Sequence, residues 1–386
     1  MMIPYGRQSV SQSDIDAVVD VLKSDFLAQG DVVPKFEQAL CGYTKASHGI
    51  AVNSGTSALH IACLSLGLQQ GDYLWTSSIT FVASANCGRY CGAEIDFIDI
   101  DPDSWNIDVA QLKSKLEHAR KSHKLPKILV VVHFAGLPAD LKEIHQLSSE
   151  YGFHIIEDAS HALGAEYLQG KVGNCQYSEI TVFSFHPVKI ITTGEGGMAL
   201  TNDQKLANTM RLLSNHGITR EVEQMPEKPE GPWCYQQIML GFNYRMSEIH
   251  AALGLSQLAR VETFLQRRRH IAQAYNAALA VLPLQTPWVC EDRLSSYHLY
   301  TIRLNCNNNP DLRNAAYQQL KDKGIGVQIH YIPVSHHHYY QQLGINTESF
   351  PEAEKYYAET LTLPCYPGLS DADQQYVVAT LTDLLS

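Results

Sequence analysis

Lys189 is the only lysine between residues 172 and 204. It stands in FSFHPVKIITTGEGG (183–197), where an apolar run gives way to a polar, glycine-rich turn. A lysine amine that is partly desolvated, or lies near other positive charge, loses its proton readily and can attack an aldehyde. By itself it reads more readily as a surface lysine in a loop, which describes most lysines. Two other stretches carry chemistry at the same kind of junction. In EDASH (157–161), Asp158 and His161 follow an apolar run. At the carboxyl end of a strand in an open sheet they would face a ligand, and a carboxylate there can hold a protonated pyridine nitrogen. The ordinary alternative has Asp158 capping the next helix. In NSGTSA (53–58), Gly55 allows close approach to an anion, with the Thr56 and Ser57 hydroxyls and the first helical amides pointing at it. A plain helix cap at Ser54 or Thr56 is the alternative. An anion loop, a carboxylate and a lysine in this order are a far rarer pattern than any one of them.

Short apolar runs at 49–53, 73–77, 94–99, 128–133, 153–157, 180–185 and 197–201 are the strands that must position these residues. Several are apolar nearly throughout, as strands covered on both faces are. Their spacings leave room for crossover helices, so the class is α/β with a largely parallel sheet. The gap between 185 and 197 is too short for a helical crossover, which points to one antiparallel strand. Residues 246–280 form one long amphipathic helical pattern with a basic patch at Arg267–Arg269. We draw a boundary near 256, with a large domain and its N-terminal arm over 1–255 and a smaller C-terminal α+β domain over 256–386, the long helix bridging the two.

The 386 residues are 45% hydrophobic and carry a net charge of −11, so no basic surplus exists for a nucleic-acid partner. Cys87 and Cys91 are close in sequence, but no second close pair completes a zinc set. His336–His338 with His330 nearby resembles a metal cluster, yet adjacent histidines point apart and no spaced pairing with a carboxylate appears, so no metal is expected. There is no signal-like apolar core at the N-terminus and no membrane-length apolar stretch, and a cytoplasmic location is expected.

The chain resembles the fold-type-I pyridoxal 5'-phosphate (PLP) enzymes, in particular the aminotransferases that act on nucleotide-linked keto-sugars. The likeness runs through IPYGRQSV, FLAQG, NSGTSAL, TFVASAN, EDASHALGA, FSFHPVK, GEGGM and LGFNYRMSEIHAALG, weakening after about residue 300. It implies that Gly55, Thr56, Ser57 and Ser184 hold the cofactor phosphate, and that Phe81 stacks on its ring. It further implies that Asp158 meets the ring nitrogen, that His161 lies on the phenolic-oxygen side, and that Lys189 is the Schiff-base lysine. Asn243 would reach the phosphate from a partner subunit, so a homodimer with shared sites is expected. GVQIHYIP (326–333) resembles a loop that touches the sugar nucleotide, with His330 and Tyr331 as contacts; Tyr5, Asp25, Phe26, Leu27, Ala28 and Arg245 are further substrate candidates.

His161 stands where many relatives have Gln, and Ile190 where close ones have Pro or Asn; neither touches the chemistry. Lys189 argues against the branch that has histidine there and dehydrates at C3. PYGRQ, FHPVKIITTGEGG and GVQIHYIP look most like the aminotransferases of pseudaminic acid synthesis. Those act on UDP-2-acetamido-2,6-dideoxy-L-arabino-hex-4-ulose, with L-glutamate as the implied donor. The rivals are an aminotransferase for another GDP-, dTDP- or UDP-linked keto-sugar, and a non-catalytic PLP-binding regulator, which the lack of a basic DNA-binding arm disfavours.

Overall fold

The computed structural model describes residues 2–305 and 309–385. All seven expected strands form: β1 (His48–Val52), β2 (Tyr73–Ser77), β3 (Glu94–Ile98), β4 (Ile128–Val132), β5 (His154–Asp158), β6 (Ile180–Ser184) and β7 (Gly197–Thr201). They make one sheet in the order β1-β7-β6-β5-β4-β2-β3. β7 runs antiparallel to both neighbours and the other pairs are parallel. The short link from β6 to β7 therefore closes a hairpin-like return rather than a crossover.

Helices cover both faces. Ile128, Val130, Ile156 and Val182 pack with Leu59 of α3 (Gly55–Ser65), Ala85 of α4 (Ala83–Tyr90) and Met210 of α7 (Gln204–Ser214). The alternate residues Leu129, Val131 and Ile155 face Leu116 of α5 (Val109–Ser122) and Ile144 of α6 (Leu141–Tyr151). Phe183, Met198 and Leu200 meet Phe36 of α2 (Val32–Thr44) and Ala251 of α8 (Glu248–Leu258). Alternation along each strand thus builds two apolar layers, and β4, apolar at every position, is buried throughout.

The pattern expected as one helix over 246–280 is two, α8 and α9 (Val261–Leu279). Arg260 leaves helical geometry at φ −111° and ψ 7°. The buried carboxylate of Asp14, in α1 (Gln12–Leu22), draws in Arg260, the Ser256 hydroxyl at 2.6 Å and the Gln257 amide at 2.8 Å. A buried charge satisfied by three side chains outweighs the loss of one helical turn.

The expected basic patch is not a patch. Arg268 is buried, and its guanidinium donates to the carbonyls of Tyr297 (3.2 Å), His298 (3.1 Å) and Cys365 (2.7 Å). Arg267 pairs with Asp371 at 2.7 Å, and Arg269 donates to the carbonyls of Ser295 and Gly164. These arginines bind α9 to the segments that flank β8 (Tyr300–Leu304) and β9 (Thr360–Leu363). β8 and β9 pair antiparallel over a separate apolar cluster that includes Ile271, Tyr275, Ile302, Leu361 and Leu381. Ile3 belongs to that cluster, and its amide and carbonyl bond Gly324 and Gly326 at 2.8 and 2.7 Å. The N-terminal arm is thus fastened to the C-terminal layer.

Arg268→Met would leave three buried carbonyls without a charged donor. It is expected to lower the unfolding free energy by about 3 kcal/mol. A urea titration reads this as a lower midpoint, and an unchanged midpoint would contradict the role.

Candidate active site

At the carboxyl ends of the parallel strands a cavity of about 310 Å³ is lined by residues from β4, β5 and β6 and by loops from remote parts of the chain. Gly55, Thr56, Phe81, Asp158, His161, Ser184, Lys189, Tyr5, His330 and Tyr331 all line it. Residues more than 300 positions apart therefore meet, in the crevice where open α/β sheets hold ligands.

Ser54 caps α3 by accepting from the Ser57 amide at 3.1 Å. The first amides of a helix lack partners within it and give its N-terminus partial positive charge, which suits an anion. Gly55 sits against Ser184: a Cβ there would come within 2.9 Å of the serine Cβ. A Cβ on Gly197 would come within 2.5 Å of the Ser54 carbonyl. Both glycines are needed to bring the ends of β1, β6 and β7 so close. Ser57 departs from the expectation: its hydroxyl donates to Asn53 at 2.7 Å and pairs with Ser54 at 2.9 Å, and it does not line the cavity. The capping reading holds for Ser54.

Asp158 closes β5 and is buried, one carboxylate oxygen accepting from the Ser84 hydroxyl at 2.6 Å and the other from the Ser160 amide at 3.1 Å. Among the described residues no arginine or lysine forms an ion pair with it. Ser84, in the first turn of α4, is bonded in turn to Thr80 at 2.8 Å. Ser84 escaped the sequence reading although its block, TFVASAN, was singled out; small hydroxyls near a helix start read as caps.

Lys189 lies in a turn fixed by its amide on the His186 carbonyl (2.9 Å) and by Thr193 and Thr192 on the Phe185 carbonyl (3.0 and 3.1 Å). Loss of solvent pulls its amine down to about 8, against the opposing charge of Asp158. His161 is buried, shares a 3.1 Å hydrogen bond with the Tyr331 hydroxyl and leaves Nδ1 without a partner. Burial, followed by the charge of Lys189, holds His161 well below the usual imidazole range. The same causes bring His330 down to about 3, with its Nδ1 at 2.8 Å from Thr362. Burial keeps Tyr331 protonated. Phe81 presents its ring at the cavity, 57% exposed and 6.1 Å from Tyr331.

His298 also lines the cavity and was missed in the sequence. Its ring lies 4.5 Å from His161, and its Nδ1 too has no partner. In SSYHLY nothing but a lone histidine before a strand marked it.

The remaining expected contacts lie elsewhere. Asn243 is exposed and bridges backbone to backbone with Asn215, while Arg245 donates to the Asn215 side chain at 2.6 Å. Asp25, Phe26, Leu27 and Ala28 are exposed, on a loop that the Glu248 amide holds through the Leu27 carbonyl at 3.0 Å. None of them lines the Lys189 cavity. Arg245 instead borders a second cavity of about 500 Å³, with Gln29, Gly30 and Arg211.

Residues 8–382 match the DegT/DnrJ/EryC1/StrS aminotransferase family. The Campylobacter jejuni UDP-4-amino-4,6-dideoxy-N-acetyl-beta-L-altrosamine transaminase is 36% identical over 388 residues, spanning 100% of this chain and 98% of the relative. Helicobacter pylori PseC, described as an aminotransferase involved in the biosynthesis of pseudoaminic acid, superposes with a TM-score of 0.91 at 30% identity, over 100% of this chain and 99% of its own. The Streptococcus pneumoniae sugar aminotransferase Spr1654, solved in a PLP-form, superposes with a TM-score of 0.90 at 27% identity, over 100% and 98%. A match along nearly the whole length, at this identity and on this fold, carries one conclusion: the chain belongs to the DegT/DnrJ/EryC1/StrS aminotransferase family.

Proposed function

We propose that this aminotransferase carries PLP on Lys189 and moves an amino group from L-glutamate to C4 of a nucleotide-linked 4-keto-6-deoxy sugar. The sugar we assign is UDP-2-acetamido-2,6-dideoxy-L-arabino-hex-4-ulose, the enzyme working as a cytoplasmic homodimer. The observation that carries the chemistry is the depressed amine of Lys189 in one cavity with a buried, cation-free Asp158 and the N-terminus of α3. The choice of sugar rests on the full-length similarity to the C. jejuni transaminase. The break before α9 and the separate apolar cluster beyond it support a smaller C-terminal unit entered near residue 260, a few residues after the 255/256 division, which falls inside α8.

The residues fit the cofactor. A buried carboxylate with only neutral donors suits a protonated ring nitrogen, and the α3 terminus with Thr56 and Ser184 suits a phosphate. The exposed Phe81 ring offers an aromatic face, and the unpartnered Nδ1 of His161 a polar contact. When bound, PLP supplies an aldehyde carbon that bonds an amine and a ring that draws off the electrons left when the donor Cα–H bond breaks. Asp158 keeps the proton on the ring nitrogen. With its pKa lowered to about 8, Lys189 Nζ is a free amine far more often than an ordinary lysine, and that amine would take the Cα proton and return it two atoms further along, at the former aldehyde carbon. The neutral His161, His298 and His330 add no competing positive charge beside Asp158.

With L-glutamate and a panel of UDP-, GDP- and dTDP-linked 4-keto sugars, mass spectrometry is expected to find amino-sugar product and 2-oxoglutarate, fastest with the UDP-linked N-acetyl sugar. A faster GDP- or dTDP-sugar would reassign the substrate. Absence of 2-oxoglutarate with every sugar would favour a PLP-binding regulator.

A lysine whose pKa is lowered to about 8 becomes a free amine as pH rises through 8 rather than through about 10.4. Competitive acetylation of cofactor-free protein is expected to label Lys189 with a midpoint near pH 8. A midpoint near that of Lys205 would remove the basis for its role.

Asn243, Arg245 and residues 25–28 lie outside this chain's cavity, and Phe26, Leu27, Trp233 and Leu240 are exposed apolar side chains. That placement supports a site completed by a second copy. Mixing inactive Lys189→Ala chains with cofactor-weak Asn243→Ala chains should restore one PLP site per mixed dimer. Mixed dimers that bind no more PLP than their parents would rule out a role for Asn243 across the interface.

A further inference from the structure

Behind the cavity, α3 and α4 pack against each other and bring three cysteines together: Cys63 of α3, Cys87 of α4 and Cys91 at the end of α4. The Cys63 thiol lies within hydrogen-bonding reach of both Cys87 and Cys91. Cys63 and Cys87 are fully buried, whereas Cys91 is half-buried. Cys91 is also within reach of the His60 imidazole, whose Nδ1 is 3.1 Å from the Tyr244 hydroxyl. Nothing in the transamination chemistry uses this cluster, and Lys189 and Asp158 do not touch it.

We propose that Cys91 is a peroxide-reactive thiol with Cys63 as its resolving partner, a second reactive site distinct from the Lys189 cavity. The hydrogen bonds from Cys63 and then His60 hold the Cys91 thiol below the usual range, favouring the thiolate that attacks peroxides. By contrast, burial and the nearby Glu37 push Cys41 up to about 11, and burial and Glu157 push Cys175 up to about 12. Cys87 donates its S–H to the Ser84 carbonyl at 3.3 Å, which turns it along its own helix. Cys63 is on the facing helix, and burial followed by its bonds to Cys87 and Cys91 holds its thiol well above the usual range, so it keeps its proton until it attacks.

The Cys91 thiolate attacks one oxygen of hydrogen peroxide. The O–O bond breaks, the sulfur is oxidised to Cys91–SOH, and the peroxide is reduced to hydroxide. Cys63 then gives up its proton and attacks the Cys91 sulfur. The S–O bond breaks, the departing oxygen takes that proton and leaves as water, and one S–S bond remains. That bond would tie α3 to α4 at the far ends of the helices that begin with Gly55 and bear Ser84.

The test uses the holoenzyme and reads mass, not activity, so its outcome does not depend on the transamination assignment. At pH 7, iodoacetamide is expected to label Cys91 at least about tenfold faster than Cys41. After stoichiometric peroxide and blocking of the remaining thiols, the peptides bearing Cys63 and Cys91 should appear joined, two hydrogens lighter. Cys63 and Cys87 share a tryptic peptide, so variants assign the bond: it should persist in Cys87→Ser and vanish in Cys63→Ser, where dimedone should add to Cys91. Brief peroxide with dimedone on the unaltered sequence should label Cys91 first, whatever the variants do. A bond that survives Cys63→Ser, or dimedone preferring Cys41, Cys234 or Cys290, would overturn the proposal.

Discussion

A carboxylate placed at the end of a buried strand must be satisfied or protonated, and Asp158 is satisfied only by neutral donors, the Ser84 hydroxyl and the Ser160 amide. Much of the surrounding architecture follows from keeping it so. α4 is positioned with Ser84 in its first turn, and Thr80 holds Ser84 in place. Lys189 stands near enough for Asp158 to favour its charged form, yet burial prevails and the amine is depressed. Three imidazoles in the same cavity are kept neutral by burial and by that lysine. The result is an anionic point with no permanent cation against it, beside an amine poised between its two protonation states.

The cavity wall is assembled from parts that the central sheet does not hold. Tyr5 arrives on an arm paired to Gly324 and Gly326, and its carbonyl accepts from the Cys365 amide at 3.0 Å. His298 precedes β8, with its carbonyl on Arg268. His330 is fixed by Thr362 of β9, and the Tyr356 hydroxyl bonds its carbonyl at 2.8 Å. A single buried guanidinium therefore stands behind one wall of the site, although it faces no ligand itself.

The sheet was legible because seven runs of apolar, β-branched residues are long enough to be covered on both faces, and the short stretch between Phe185 and Gly197 betrayed the reversed strand. The Lys189 and Asp158 junctions were legible for the same reason: side chains just past the ends of such runs face the cavity. What failed to show was anything set by distant partners. Asp14 breaks the 246–280 pattern from the other end of the chain, and no local periodicity reports that. Arg267–Arg269 look like a solvated charge run until the carbonyls that receive them are in place. His298 and Ser84 carry residue types common at caps and in cores, and only the fold distinguishes them. Ser57 shows the converse, a residue matching a motif whose hydroxyl is spent on its own helix cap.

The insertion of β7 between β1 and β6 has a consequence during synthesis. β1 is an edge strand whose strand partner among the described residues is β7, paired from His48 with Thr201 to Val52 with Gly197, with one further bridge from Val52 to Arg245. On the ribosome, about 150 residues separate the emergence of the two strands, roughly 8 to 30 s of translation at 5–20 residues per second. Until then β1 and the Gly55 loop behind it have no sheet to join, and their apolar side chains are open to chaperones or to other nascent chains. The Gly55 loop, first of the three segments to be made, is the last to find its place, and the cavity completes only after Lys189 itself has left the tunnel.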